Sequence, residues 1–257
     1  MDNYIKYTPK CVLITGATGG FGAAFVKRFA NLGAKLIIHG RNAEKLDALC
    51  ADLTVPVHKL VFDLKDKQAT LDQINAIPDE FKDIDVLINN AGGALGLDKA
   101  HEADLQDWED MIEMNATSLA RITRLVLPNM VERKTGHVIN IGSIAGNWCY
   151  PGGNVYGAVK AFVRHFSLNI RADLIGTNVR VTNIEPGVAE TPFSMNRFKG
   201  DVEKAGAVYA NTTPLTAEDI AETVFWAATL PQHVNVNTLE VMPTKQSFNP
   251  LYVEKDQ

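Results

Sequence analysis

Several features that would place a chain quickly are scarce or missing here. Three cysteines, Cys11, Cys50 and Cys149, stand far apart, too few and too scattered for a disulfide framework or a zinc site, so no metal is expected. No apolar run approaches the roughly 18 residues of a membrane helix, and Met1 to Lys10 is polar, without the apolar stretch of a signal peptide. Positive charge is not in excess: a net charge of −5 and a pI near 5.7 argue against nucleic acid or an anionic membrane as partner. Repeats, low-complexity runs and linkers are also missing. What remains is 257 residues with 46% hydrophobic and 21% charged, an ordinary globular balance with enough apolar mass for a full core. The expectation is one domain spanning residues 1–257, with the cytoplasm as the default compartment.

Short apolar runs alternate with longer segments of helical period, the pattern of repeated βαβ units. Strands are expected at Cys11 to Thr15, Lys35 to His39, Val57 to Phe62, Ile84 to Asn89, His137 to Gly142, Asn178 to Ile184 and Asn237 to Val241. Helical patterns cover Phe21 to Leu32, Ala43 to Leu53, Lys67 to Ile77, Leu105 to Glu132, Val155 to Leu174 and Ala217 to Leu230. The sum is a Rossmann-type α/β fold, a doubly wound parallel sheet of about seven strands with helices on both faces. Thr216, with Asp219 three residues on, signals the start of the last long helix. Pro128 is expected to kink or interrupt the segment that begins near Leu105. The stretch Glu190 to Pro214 has the weakest pattern, and a loop that long inside a compact domain is usually functional, so a lid is expected within about 188–214.

The first strand runs into Thr15-Gly16-Ala17-Thr18-Gly19-Gly20-Phe21-Gly22, and a helix follows at once. Glycines permit a tight turn and close approach of the backbone to a pyrophosphate, and the helix start offers free N–H groups. A bland turn is the competing reading, disfavoured by the strand before it and the helix after it. At the end of the second strand, an acid would bond a ribose 2′-hydroxyl and repel a 2′-phosphate. The sequence there reads His39-Gly40-Arg41-Asn42, with no acid until Glu44. Arg41 suits a phosphate and Asn42 offers a further donor, which favours NADP over NAD.

Ser143 follows the fifth strand, and Tyr156 and Lys160 lie one helical turn apart on a common face. A phenol loses its proton near pH 10 unaided. A nearby ammonium favours the phenolate, so Tyr156 can exchange a proton with a substrate hydroxyl while Ser143 donates to and orients the reacting oxygen.

The glycine loop, with its TGxxxGxG spacing, and the Ser143, Tyr156, Lys160 group resemble the short-chain dehydrogenase/reductase family. The resemblance runs from Val12 to about Ser247. It implies that Asp63, with Leu64 beside it, meets the adenine, although Asp63 also suits a helix cap. It implies that Asn89-Asn90-Ala91-Gly92 turns beside the cofactor, that Lys160 holds the nicotinamide ribose, and that Asn115 fixes a water in a proton relay. Pro186-Gly187-Val188 and Thr191 are implied at the nicotinamide. The strings Asn90 to Gly96, Tyr150 to Ala158, Arg197 to Asp201 and Asn237 to Pro243 resemble one branch, the NADP-dependent 3-hydroxy acid dehydrogenases, also described as serine or L-allo-threonine dehydrogenases.

That branch implies small hydroxy acids or their semialdehydes as substrates, and a homotetramer built through the long helices and the C-terminal segment. A substrate carboxylate needs a donor near the reacting oxygen. Arg197 is the first choice, Lys199 the reserve, and backbone donors near Gly152 and Gly153 the alternative to a cation. Two other readings stay open: a reductase of neutral carbonyls or sugars on the same scaffold, and an NADP-binding regulator without turnover.

Overall fold

A computed structural model describes residues 6–248. Seven strands form one parallel sheet: β1 (Cys11–Ile14), β2 (Lys35–Gly40), β3 (Val57–Val61), β4 (Val86–Asn89), β5 (Gly136–Ile141), β6 (Val179–Pro186) and β7 (Thr238–Val241), in the order β3-β2-β1-β4-β5-β6-β7. The helices are α1 (Gly20–Asn31), α2 (Ala43–Cys50), α3 (Lys67–Asn75), α4 (Leu105–Ile112), α5 (Ser118–Glu132), α6 (Asn154–Asp173), α7 (Phe193–Arg197), α8 (Val202–Ala207) and α9 (Ala217–Thr229). The Rossmann-type expectation holds, with the ends of the strands and of most helices unchanged or moved by at most three residues.

Strands buried on both faces explain the continuous apolar runs. Along β1, Val12 and Ile14 join one core with Phe25, Phe29, Val224 and Phe225 of α1 and α9, whereas Cys11 and Leu13 join the opposite core with Ile122, Val126, Met130 and Ile170 of α5 and α6. The strand order reverses between β1 and β4, and a doubly wound sheet opens a crevice at that point, beyond the carboxyl ends of its strands. The segments after β1, β2, β3, β4, β5 and β6 carry the residues singled out from the sequence.

Two features differ from expectation. Pro128 does not interrupt its helix: α5 runs through it. Pro128 and Arg124, the residue whose carbonyl loses its helical donor, are both exposed, so water can satisfy that oxygen. The break falls earlier, where residues 113–117 form a π-helical turn between α4 and α5. Within the expected loop, α7 and α8 give residues 193–207 partly regular structure, with Asp201 capping α8 by accepting from the Lys204 amide at 3.1 Å.

Candidate active site

The glycine turn works because two of its positions admit no side chain. Gly16 has φ +63° and a Cβ there would lie 2.9 Å from the Ala91 Cα. One at Gly22 would lie 2.2 Å from the Gly16 carbonyl oxygen. The N-cap of α1, Gly19, supplies no side-chain cap, and the first turn holds no acid. That helix start is fitted to an anion such as a diphosphate. Asn90 closes the turn from the β4 side, its amide donating to the Thr15 and Gly16 carbonyls at 2.9 and 3.0 Å.

Arg41 is exposed just past β2, and the methyl of Thr18 sits beside Gly40, so glycine turn and arginine share one rim. Asn42 caps α2 with its side-chain oxygen, which accepts from the Lys45 amide at 2.8 Å, and its NH2 remains a donor. Asp63 does not cap α3; Asp66 does, accepting from Ala69 at 2.9 Å. Asp63 instead accepts from the Lys65 amide at 2.9 Å with one oxygen. Leu64 is packed into the core, and its carbonyl accepts from Arg121 at 2.9 Å, so its side chain is not brought to the crevice.

Tyr156 and Lys160 come from α6 and Ser143 from the end of β5. Lys160 donates to the Ile141 carbonyl at 2.9 Å and its nitrogen lies 5.8 Å from the Tyr156 ring centre. Burial pulls Lys160 down to about 8, which leaves the ammonium the majority form at neutral pH. Burial raises the Tyr156 pKa, and the neighbouring Tyr150 adds to that, whereas a hydrogen bond with Ser143 and the charge of Arg197 oppose it. Asn115, in the π-helical turn, donates to the Gly93 and Met111 carbonyls, each at 2.9 Å, and accepts from the Gly93 amide at 3.1 Å. A Cβ at Gly92 would strike the Asn115 side-chain oxygen at 2.6 Å and stand 3.7 Å from the Lys160 nitrogen, so the three residues meet.

The segment after β6 folds across this group. Thr191 abuts the glycine turn, its side-chain carbons 2.8 and 2.9 Å from where a Gly20 Cβ would stand. Phe193 packs against Tyr156 with ring centres 5.7 Å apart. The Arg197 guanidinium lies 5.7 Å from the ring centres of both Tyr150 and Tyr156. It donates to the Tyr150 hydroxyl and to the Gly96 carbonyl at 3.1 Å each, while the Gly96 amide donates to the Arg197 carbonyl at 2.9 Å.

Lys199 points elsewhere and pairs with Asp107 at 2.8 Å. The Gly153 amide donates to the Tyr150 carbonyl at 3.0 Å, so its turn already uses the donor expected for a carboxylate. The Gly187 and Val188 amides donate to the Val241 carbonyl at 2.7 Å and the Gln246 side chain at 2.9 Å.

The family model for short chain dehydrogenases matches residues 10–201. The chain belongs to the short-chain dehydrogenase family. Within that family it is 57% identical over 245 residues to the NADP-dependent 3-hydroxy acid dehydrogenase YdfG of Salmonella typhi, covering 95% of this chain and 99% of that protein. It is 49% identical over 248 residues to sulfoacetaldehyde reductase 2 of Chromohalobacter salexigens, covering 95% and 98%. The closed form of serine dehydrogenase complexed with NADP+ superimposes with a TM-score of 0.92 at 52% identity, covering 96% of this chain and 100% of that one.

Tyr150 and Gln246, which hold Arg197 and Val188 here, carried no such role in the sequence. Tyr150 stood inside a motif string without a role, and Gln246 carried no local signal because its partner lies 58 positions away.

Proposed function

We propose that this short-chain dehydrogenase is an NADP-dependent oxidoreductase of small 3-hydroxy acids or their semialdehydes, such as serine, L-allo-threonine or the 3-hydroxypropionate/malonic semialdehyde pair. The observation that carries it is the Arg197 guanidinium held over the Tyr156 ring. A cation beside the proton-transfer group suits a substrate whose carboxylate lies close to its reacting oxygen.

Hydride exchange at the nicotinamide is the chemistry the cofactor supplies when bound. The turn Gly16, Thr18, Gly19, Gly20, Phe21 and Gly22 binds the pyrophosphate, Arg41 and Asn42 the 2′-phosphate, and Asp63 with the backbone at Leu64 the adenine. Asn90, Ala91 and Gly92 line the floor. Pro186, Gly187, Val188 and Thr191 flank the nicotinamide, and Lys160 holds its ribose. Tyr156 takes the hydroxyl proton in oxidation and returns it in reduction, Ser143 orients the substrate oxygen, and Asn115 supports the relay behind Lys160. Arg197 pairs with the carboxylate, within a lid of about 188–214 that excludes water.

A cytoplasmic location and a homotetramer belong to the same reading. The exposed Phe162 and Leu168 on α6 support the tetramer, and the C-terminal segment past Phe248 lies outside the described residues. Sedimentation checks the assembly. The test of function follows NADPH consumption with malonic semialdehyde and with uncharged aldehydes of the same size, beside NADP-dependent oxidation of serine and L-allo-threonine. Preference for the charged substrates is expected; equal turnover of neutral carbonyls overturns the acid assignment.

A further inference from the structure

We propose that His39 is a positioning residue for the cofactor, a clip that holds the glycine turn after β1 and the chain after β3 at a fixed separation. His39 lies near the end of β2 and is 3% exposed. Its ring stands between two backbone groups that demand opposite things. Nε2 is 3.0 Å from the Phe62 carbonyl, which only accepts, so Nε2 carries the proton. Nδ1 is then a lone pair, and the Gly16 amide donates to it at 3.3 Å. The backbone of the same residue completes the joint, the Ala17 amide donating to the His39 carbonyl at 2.8 Å. The Phe62 ring packs on the imidazole with centres 4.6 Å apart.

The two clipped points are the two ends of the adenine half of the cofactor site. Gly16 opens the pyrophosphate turn, and Phe62 immediately precedes Asp63. Gly16 sits at φ +63°, so the direction of its amide is set by a backbone state that needs an anchor. An apolar residue on β2 would fill the same space and leave the partly buried Gly16 amide and the buried Phe62 carbonyl without these partners. Only a neutral ring serves both. Burial lowers the His39 pKa to about 4; Arg41 beside β2 pushes the same way, and the Phe62 carbonyl and Asp63 oppose it. The glycine turn contributes no charged side chain.

This inference rests on the NADP reading above, so the experiment begins with wild-type protein and NADPH, followed by fluorescence titration rather than by turnover. His39→Phe keeps an aromatic ring and loses both contacts. His39→Asn retains an acceptor near the Nδ1 position, and His39→Gln retains a donor near Nε2. The Phe variant is expected to bind NADPH about 10-fold more weakly, with 2′-phospho-ADP-ribose weakened in parallel and kcat at saturating NADPH within about twofold of wild type. Asn should recover most of the affinity and Gln less, because the glycine-turn contact is the one nearest the phosphates.

Wild-type affinity in the Phe and Asn variants overturns the proposal, as does a fall in kcat with NADPH affinity unchanged. Should His39→Phe not fold, the comparison of Asn with Gln decides, and Gln binding as tightly as Asn or tighter overturns it. A wild-type protein that does not bind NADPH overturns the cofactor reading and this inference with it, a result visible before any variant is made.

Discussion

Replacing Arg197 with Ala isolates the group that most sharply divides acid substrates from neutral ones. Its guanidinium is half-buried, pinned by the Tyr150 hydroxyl and the Gly96 carbonyl, and faces the Tyr156 ring at 5.7 Å. A charge-assisted hydrogen bond to a carboxylate is worth about 1.5–3 kcal/mol, so kcat/KM for a 3-hydroxy acid or semialdehyde should fall by roughly 10- to 150-fold. An uncharged aldehyde of the same size makes no such bond and should lose much less. It still reports whatever the variant does to the Gly96 contacts and to Tyr156. Arg197 also helps to lower the Tyr156 pKa, so the variant's rate profile should move toward higher pH for both substrates alike. The discriminating quantity is therefore the ratio of the two kcat/KM values at one pH, measured by NADPH absorbance. Equal losses on both substrates refute the carboxylate assignment and leave Arg197 as a strut between Gly96 and Tyr150.

Tyr156→Phe removes the proton-transfer group and keeps the ring against Phe193, so kcat should fall by about 10²- to 10⁴-fold with NADPH affinity retained, as steady-state kinetics and fluorescence titration would show. Arg41→Ala should weaken NADPH by about 1.5–3 kcal/mol while barely touching NADH, and an unchanged NADPH/NADH affinity ratio would assign the phosphate to another group. Stability should fall in mild acid. His39 is held neutral with a pKa of about 4 against 6.5 unfolded, so its contribution is whole above pH 6.5, declines as protons bind the unfolded chain first, and is lost by about pH 4. That amounts to roughly 3 kcal/mol, with the buried His137 acting in the same direction. Urea unfolding of wild type and His39→Asn should show the gap between them change over that range; parallel curves would mean His39 does not titrate as described.

The sheet was legible because buried parallel strands write themselves as short apolar runs, and the glycine turn and the Tyr156–Lys160 pair because each depends on neighbours in sequence. Long-range geometry left no such trace. Arg197 meets Tyr150 across 47 positions and Gly96 across 101; its planar fork ranked it above Lys199, but the pairing of Lys199 with Asp107 was not legible. The Pro128 expectation applied a sound local rule without knowing that Arg124 and Pro128 would both lie on the exposed side of α5. The π-helical turn at 113–117 contains neither proline nor glycine, so residue type offered no warning of it.

That turn has a consequence for how the helical segment must be spaced. One residue beyond the α-helical count advances the following helix by about 100° around its axis, a little over a quarter turn. The faces of α4 and α5 are therefore out of phase, and α5 meets the sheet with Ile122, Val126 and Met130 while Asn115 reaches Gly93. Deleting a single residue between Glu113 and Thr117 would bring the two helices back into one register. Either Asn115 would then swing away from Gly93 and the Lys160 side, or α5 would rotate its apolar stripe off the core. Length at this point is thus constrained independently of residue identity, and a scan of one-residue deletions and insertions should find it intolerant where ordinary helix surface is not.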